Sequence, residues 1–181
     1  MGTNLRHLVQ QGFEVVAVAT NRPSCGAAEF ARQSGIPLAE LPQKGFASAE
    51  ERDAAMRDFF RRNSVDLVVD AGYDRVQTRP LLAAFENRII NVHPSLLPAF
   101  AGGMDAIERA LQASAKVTGA TVHIVTGDLD AGPILVQEAV PIEPGDTAES
   151  LRRRVQEAEK RILPSAIQMM EERLAESPAV G

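Results

Sequence analysis

At 181 residues, with 45% apolar and 24% charged side chains, the chain is long enough for one ordinary domain with its own core. Nineteen basic against 24 acidic residues give a net charge of −5, which with an aromatic content of 4% disfavours a nucleic-acid surface. The single cysteine, Cys25, closes no internal disulfide, the N-terminus lacks the basic start and apolar core of a signal peptide, and no apolar run reaches the ~20 residues that span a bilayer, so a soluble, cytoplasmic protein without membrane or nucleic-acid partners is expected.

The chain enters a helix almost at once, with Thr3 or Asn4 as its N-cap. Phe13–Ala19 is apolar and β-branched and reads as a buried strand. Ser24 is placed to cap a helix that runs to about Ser34 and stops at Gly35. Ile36–Leu41 carries a proline and reads as a short edge strand. Ser48 opens a helix with Met56, Phe59 and Phe60 at helical spacing. Val65–Ala71 is the next strand, ending at Gly72; a short helix near Pro80–Phe85 leads into an extended run at Arg88–Val92.

Strands alternating with helices across short loops predict an α/β protein with a doubly wound, mostly parallel sheet. The character changes after about residue 115. Lys116–Thr126 and Pro133–Ile142 are two extended runs around the turn Gly127–Gly132, an antiparallel addition, and Thr147 opens a long last helix with Glu149 and Ser150 in its first turn. No repeat, low-complexity stretch or linker divides the chain, so 1–181 reads as a single domain. Gly2-Thr3-Asn4 has the form of the tail of a Gly-rich turn, so a first strand and part of that loop are expected to be missing ahead of it.

The densest chemical signal is Asn91-Val92-His93-Pro94-Ser95-Leu96-Leu97-Pro98. Two apart at a strand's carboxyl end, Asn91 and His93 leave on one side, where open α/β sheets bind ligands. Asn donates hydrogen bonds to a developing oxyanion and His moves a proton near neutral pH. The same pair would serve equally as a buried, hydrogen-bonded Asn and His at a strand end. The second signal is Asp128-Leu129-Asp130-Ala131-Gly132-Pro133, after a strand carrying His123. A carboxylate there is either a turn residue or a group that orients and charges an imidazole. The three histidines, His7, His93 and His123, show no metal-ligand spacing, so no metal is expected. Nothing in the pattern sets a base beside Cys25, and Gly102-Gly103 reads as a loop hinge, the P-loop lysine being absent.

Taken in order, several runs resemble the phosphoribosylglycinamide formyltransferases of purine synthesis. They are Gly2-Thr3-Asn4-Leu5, Ala71-Gly72-Tyr73-Asp74-Arg75-Val76, Asn91–Pro98, Lys116–His123, Asp128–Ile134 and Val155–Glu159. The resemblance implies the formyltransferase fold and direct transfer of the formyl group of 10-formyltetrahydrofolate, as cosubstrate, to the amine of glycinamide ribonucleotide. It implies Asn91, His93 and Asp130 as the catalytic trio, supported by His123. It also implies a nucleotide site from Thr3, Asn4, Gly72, Gln156 and Glu159, and a folate pocket from Arg75, Val76, Gln77, Leu82, Thr126 and Asp128. The chain departs from the family pattern at Asp74 and Gln77, where apolar residues are more usual, and in Phe100–Asp105, where a Pro-Gly-(apolar)-His form is commoner. The competing readings are a formyltetrahydrofolate hydrolase, a transferase for another amine, and a non-catalytic folate- or nucleotide-binding remnant. The sequence carries no sign of oligomeric state.

Overall fold

The computed structural model describes residues 2–176. Contacts along the chain group it into two compact units, Met1–Glu86 and Asn87–Gly181.

The first unit opens with α1 (Thr3–Gln10), whose N-cap is Gly2, at φ 104, in place of the expected Thr3 or Asn4. The left-handed backbone there favours glycine, and a side chain would strike the backbone of Ala27 at 2.6 Å. Strand β1 is confined to Val18–Thr20, shorter than the apolar run that announces it, because its ladder with β2 (Leu38–Glu40) begins only at Val18↔Leu38. The pairing is parallel, as the alternation of strands and helices requires. Between them α2 (Gly26–Ser34) buries Ala28 and Ala31 and ends at Gly35, φ 67; its N-cap is Cys25, one residue past the expected Ser24.

Helix α3 (Ala49–Arg62) follows its sequence signals. Ser48 Oγ accepts from Glu51 N at 3.1 Å, Glu51 Oε2 accepts from Ala47 N at 2.7 Å, and Met56 and Phe60 face inward. Phe60 meets Phe85 edge to face, 6.0 Å between ring centres. Strand β3 keeps only Val68–Asp70 of the expected run, and α4 is a four-residue turn, Arg79–Leu82.

The second unit is built on β4 (Ile89–His93), β5 (Val117–Ile124) and β6 (Ile134–Pro141), antiparallel in that order as expected for the last two. A helix absent from the sequence reading, α5 (Ala106–Gln112), precedes β5. At seven residues it has little intrinsic stability, and burial of Ala106, Ile107 and Ala110 holds it. The last helix, α6 (Ala148–Glu176), is capped by Thr147, whose Oγ1 accepts from Ser150 N at 3.1 Å. Its inward stripe, including Leu151, Val155, Ala158, Ile162 and Leu163, packs on β5 and β6, so Pro164 does not end it.

Candidate active site

Antiparallel pairing of β4 with β5 sets Asn91 directly opposite His123 and His93 opposite Thr121. Two residues apart on both strands, the four side chains share one face. Asn91 Nδ2 lies 3.2 Å from His123 Nε2, and His123 Nδ1 lies 3.1 Å from the Ile124 carbonyl. The carbonyl can only accept, so Nδ1 carries the proton and Nε2 accepts from the Asn91 amide. Burial pushes His123 below its ordinary value, and the neighbouring His93 adds to this; the Ile124 carbonyl and the Asp130 carboxylate act the other way. A neutral His123 therefore fixes which way Asn91 points and leaves the second amide hydrogen of Asn91 outside this bond.

Asp130 stands between the two imidazoles. Its Oδ2 lies 3.5 Å from His93 Nδ1 and its Oδ1 3.6 Å from His123 Nε2, with the carboxylate 6% exposed. Backbone Gly102 N donates to Oδ2 at 2.8 Å. His93 Nε2 donates to the Phe100 carbonyl at 3.3 Å, so the ring turns Nδ1 toward the carboxylate. Asp130 sits in the left-handed region at φ 53, two residues before a glycine that has no room for a side chain: a Cβ on Gly132 would fall 1.8 Å from the Ile124 carbonyl. That close approach returns the chain onto the end of β5, where Ile124 N donates to the Pro133 carbonyl at 2.9 Å.

The segment after His93 is pinned from β5 and β6. Thr121 Oγ1 donates to the Ser95 carbonyl at 2.7 Å and accepts from Leu97 N at 3.1 Å and from Gln137 Nε2 at 2.9 Å. The structure thus brings together Asn91, His93, His123 and Asp130. Thr126 and Asp128 lie on the same turn as Asp130, joined by a bond from Thr126 Oγ1 to the Asp128 carbonyl at 3.3 Å, with Asp128 exposed. Gln156 and Glu159 sit one turn apart on α6, the latter buried.

In the first unit, Thr3 and Asn4 form the first turn of α1, Asn4 buried and Thr3 exposed. Gly72 takes φ 77 at the end of β3, and Arg75 and Val76 are exposed beyond it. Gln77 is buried, and its Nε2 donates to Asp70 Oδ2 at 2.8 Å; Leu82 ends α4. Asp74 holds the turn before α2, accepting from Asn21 Nδ2 at 2.8 Å and pairing with Arg22.

Sequence reasoning missed what holds this second loop. Arg52, 2% exposed, donates from Nε and Nη2 to Asp53 Oδ1 at 2.9 and 2.7 Å, and from Nη2 to the Val76 carbonyl at 3.3 Å. Asp53 Oδ2 accepts from Thr78 N at 2.6 Å and from its hydroxyl at 2.8 Å. It also missed Thr121 and Gln137. The available signal was the two-residue spacing of Thr121 and His123, which mirrors that of Asn91 and His93 once a hairpin pairing is drawn.

The chain matches a family model described as formyl transferase over residues 3–167. It is 34% identical over 177 residues to the phosphoribosylglycinamide formyltransferase of Haemophilus influenzae, covering 94% of this chain and 83% of that protein. It is 39% identical over 175 residues to the trifunctional purine biosynthetic protein adenosine-3 of Gallus gallus, covering 93% of this chain but only 17% of that much longer relative. Among solved structures it superposes on glycinamide ribonucleotide transformylase 1 from Symbiobacterium toebii with a TM-score of 0.90 and 42% identity, over 94% of this chain and 83% of that one.

Proposed function

The chain belongs to the formyl transferase family and carries its α/β fold, and from that premise we propose that it moves the formyl group of 10-formyltetrahydrofolate onto the amine of glycinamide ribonucleotide, a step of purine synthesis. The observation that carries this reading is the Asp130 carboxylate between the His93 and His123 rings, beside an Asn91 amide that His123 orients.

In this reading the amine lone pair attacks the formyl carbon and the carbonyl electrons move onto oxygen. The Asn91 N–H not taken by His123 donates to that oxyanion. His93, paired through Nδ1 with the Asp130 carboxylate, works with it to take the proton that the amine loses. Collapse of the intermediate breaks the bond from the formyl carbon to the folate nitrogen, which receives that proton. The donor groups stand in place before reaction, so little reorganisation is required at the moment charge develops.

The binding roles belong to the same proposal. Thr3 and Asn4 receive the nucleotide phosphate at the α1 N-terminus, where N–H groups point outward. Gly72, Gln156 and Glu159 meet the rest of the nucleotide. Arg75, Val76, Gln77, Leu82, Thr126 and Asp128 meet the folate. Among the described residues no helix is long and apolar enough to cross a membrane, and a cytoplasmic setting is part of the proposal.

The test is incubation of the chain with formyl-folate in the presence and absence of glycinamide ribonucleotide. Amine-dependent transfer is expected. Hydrolysis without the amine would replace this reading with a hydrolase, and folate binding with neither reaction would replace it with a non-catalytic binding protein.

A further inference from the structure

Arg109 lies on α5, outside every motif, and its Nη1 reaches three successive carbonyls: Phe100 at 3.2 Å, Ala101 at 2.9 Å and Gly102 at 2.9 Å. The same three residues of backbone touch both acid–base groups. Phe100 accepts from His93 Nε2 at 3.3 Å, and Gly102 N donates to Asp130 Oδ2 at 2.8 Å. This backbone is left-handed at Phe100, φ 57, a costly conformation that a non-glycine residue adopts only when its surroundings hold it, and at Gly102, φ 74, where glycine takes it readily. A guanidinium is suited to that task, because its charged N–H donors strengthen each bond to a carbonyl. Asp105 Oδ1, 3.9 Å from Nη1 and one helical turn back, steadies the same group.

We propose that Arg109 is a positioning residue for formyl transfer, an inference that rests on reading Asn91, His93 and Asp130 as the reacting groups. By clamping residues 100–102 it places the Phe100 carbonyl that orients the His93 ring and the Gly102 N–H that orients the Asp130 carboxylate. Its guanidinium acts through the backbone, on two groups that approach from opposite ends of one short segment. Release of the clamp therefore misaligns both together, and leaves the folate and nucleotide contacts assigned above in place.

The test uses the full chain with Arg109→Met, Arg109→Lys and Asp130→Asn. Arg109→Met is expected to lower kcat by about tenfold or more, with both KM values within about twofold, since a misplacement near 1 Å has costs of this order. Arg109→Lys, which keeps a cationic donor, recovers part of that loss. Arg109→Met in the Asp130→Asn background costs less than in the parent, because the clamp and the carboxylate act as one unit.

A second readout needs no turnover. The chain has only three histidines, so its ¹⁵N-imidazole spectrum is simple, and the His93 signals are those lost in His93→Ala. They shift in Arg109→Met while those of His7 do not. Unmoved His93 signals, a kcat within about twofold of the parent, or losses that multiply in full each overturn the proposal. If the parent transfers no formyl yet the His93 signals move, the clamp stands and the formyl-transfer reading falls. Should Arg109→Met fail to fold, Arg109→Lys carries the same measurements.

Discussion

Arg52 in the first unit holds the loop that carries Val76, and Arg109 in the second holds the Phe100–Gly102 segment that contacts His93 and Asp130, one at 2% side-chain exposure and the other at 38%. Arg52 works from inside, paired with a fully buried Asp53 that grips Thr78 in turn. Arg109 works from nearer the surface, half-buried, with three carbonyls at its front. The difference sets what each loop's failure looks like. A buried ion pair stripped of one partner leaves an uncompensated charge, so the fold suffers. A half-buried clamp that is removed is replaced by water, so the fold survives and the geometry of His93 and Asp130 suffers.

The contrast breaks most visibly at the reacting groups themselves. His93→Ala should lower kcat by about 10³-fold or more while the melting temperature stays within a few degrees, because the ring donates one bond to a carbonyl and faces one carboxylate. A variant that unfolds would place His93 with the structural groups. Asp53→Ala should do the reverse. Its unfolding free energy falls by about 3–5 kcal/mol in urea melts, against less than ~1 kcal/mol for Arg109→Met. Equal losses would erase the distinction between the two clamps.

Asn91→Ala should cost about 10²–10³ in kcat, the usual effect of one lost oxyanion donor, and a near-normal rate would remove Asn91 from that role. A further effect is pH-dependent. Burial, reinforced by the neighbouring Asp53, pushes the Asp70 carboxyl up to about 7, against the hydrogen bond from Gln77. A raised folded value means the native state holds the proton more tightly than the unfolded chain. Asp70 therefore contributes stability below its unfolded value near 4, and that stability is lost as pH rises through about 7. Asp70→Asn, always neutral, should match the parent near pH 4 and exceed its unfolding free energy at pH 8, by something on the order of 4 kcal/mol. No difference between the two pH values would show that Asp70 is not held neutral in the loop.

Much of this was legible along the chain. The Ser48 cap, the Gly35 stop, the Thr147 start of the last helix and the two long antiparallel strands all follow from local chemistry, which acts over three or four residues and so appears in any short window. Strand limits were less legible. Phe13–Ala17 carries the same apolar signal as Val18–Thr20, but only the latter has a ladder to join. Helix α5 was not legible at all, since seven residues behind two glycines gain their stability from burial alone.

For the site, the residue types and their spacing marked Asn91, His93, His123 and Asp130 as chemistry, and the order of the motifs pointed to formyl transfer. What the linear pattern does not contain is register and approach. That Asn91 faces His123, that Asp130 lies between two imidazoles, and that Arg109 holds the Phe100–Gly102 backbone depend on which strands pair and which loops return. Local propensity selects helix, strand and turn because those interactions are short in sequence. Which donor meets which acceptor is decided by partners tens of residues apart, brought together only when burial of the core fixes the strands against one another.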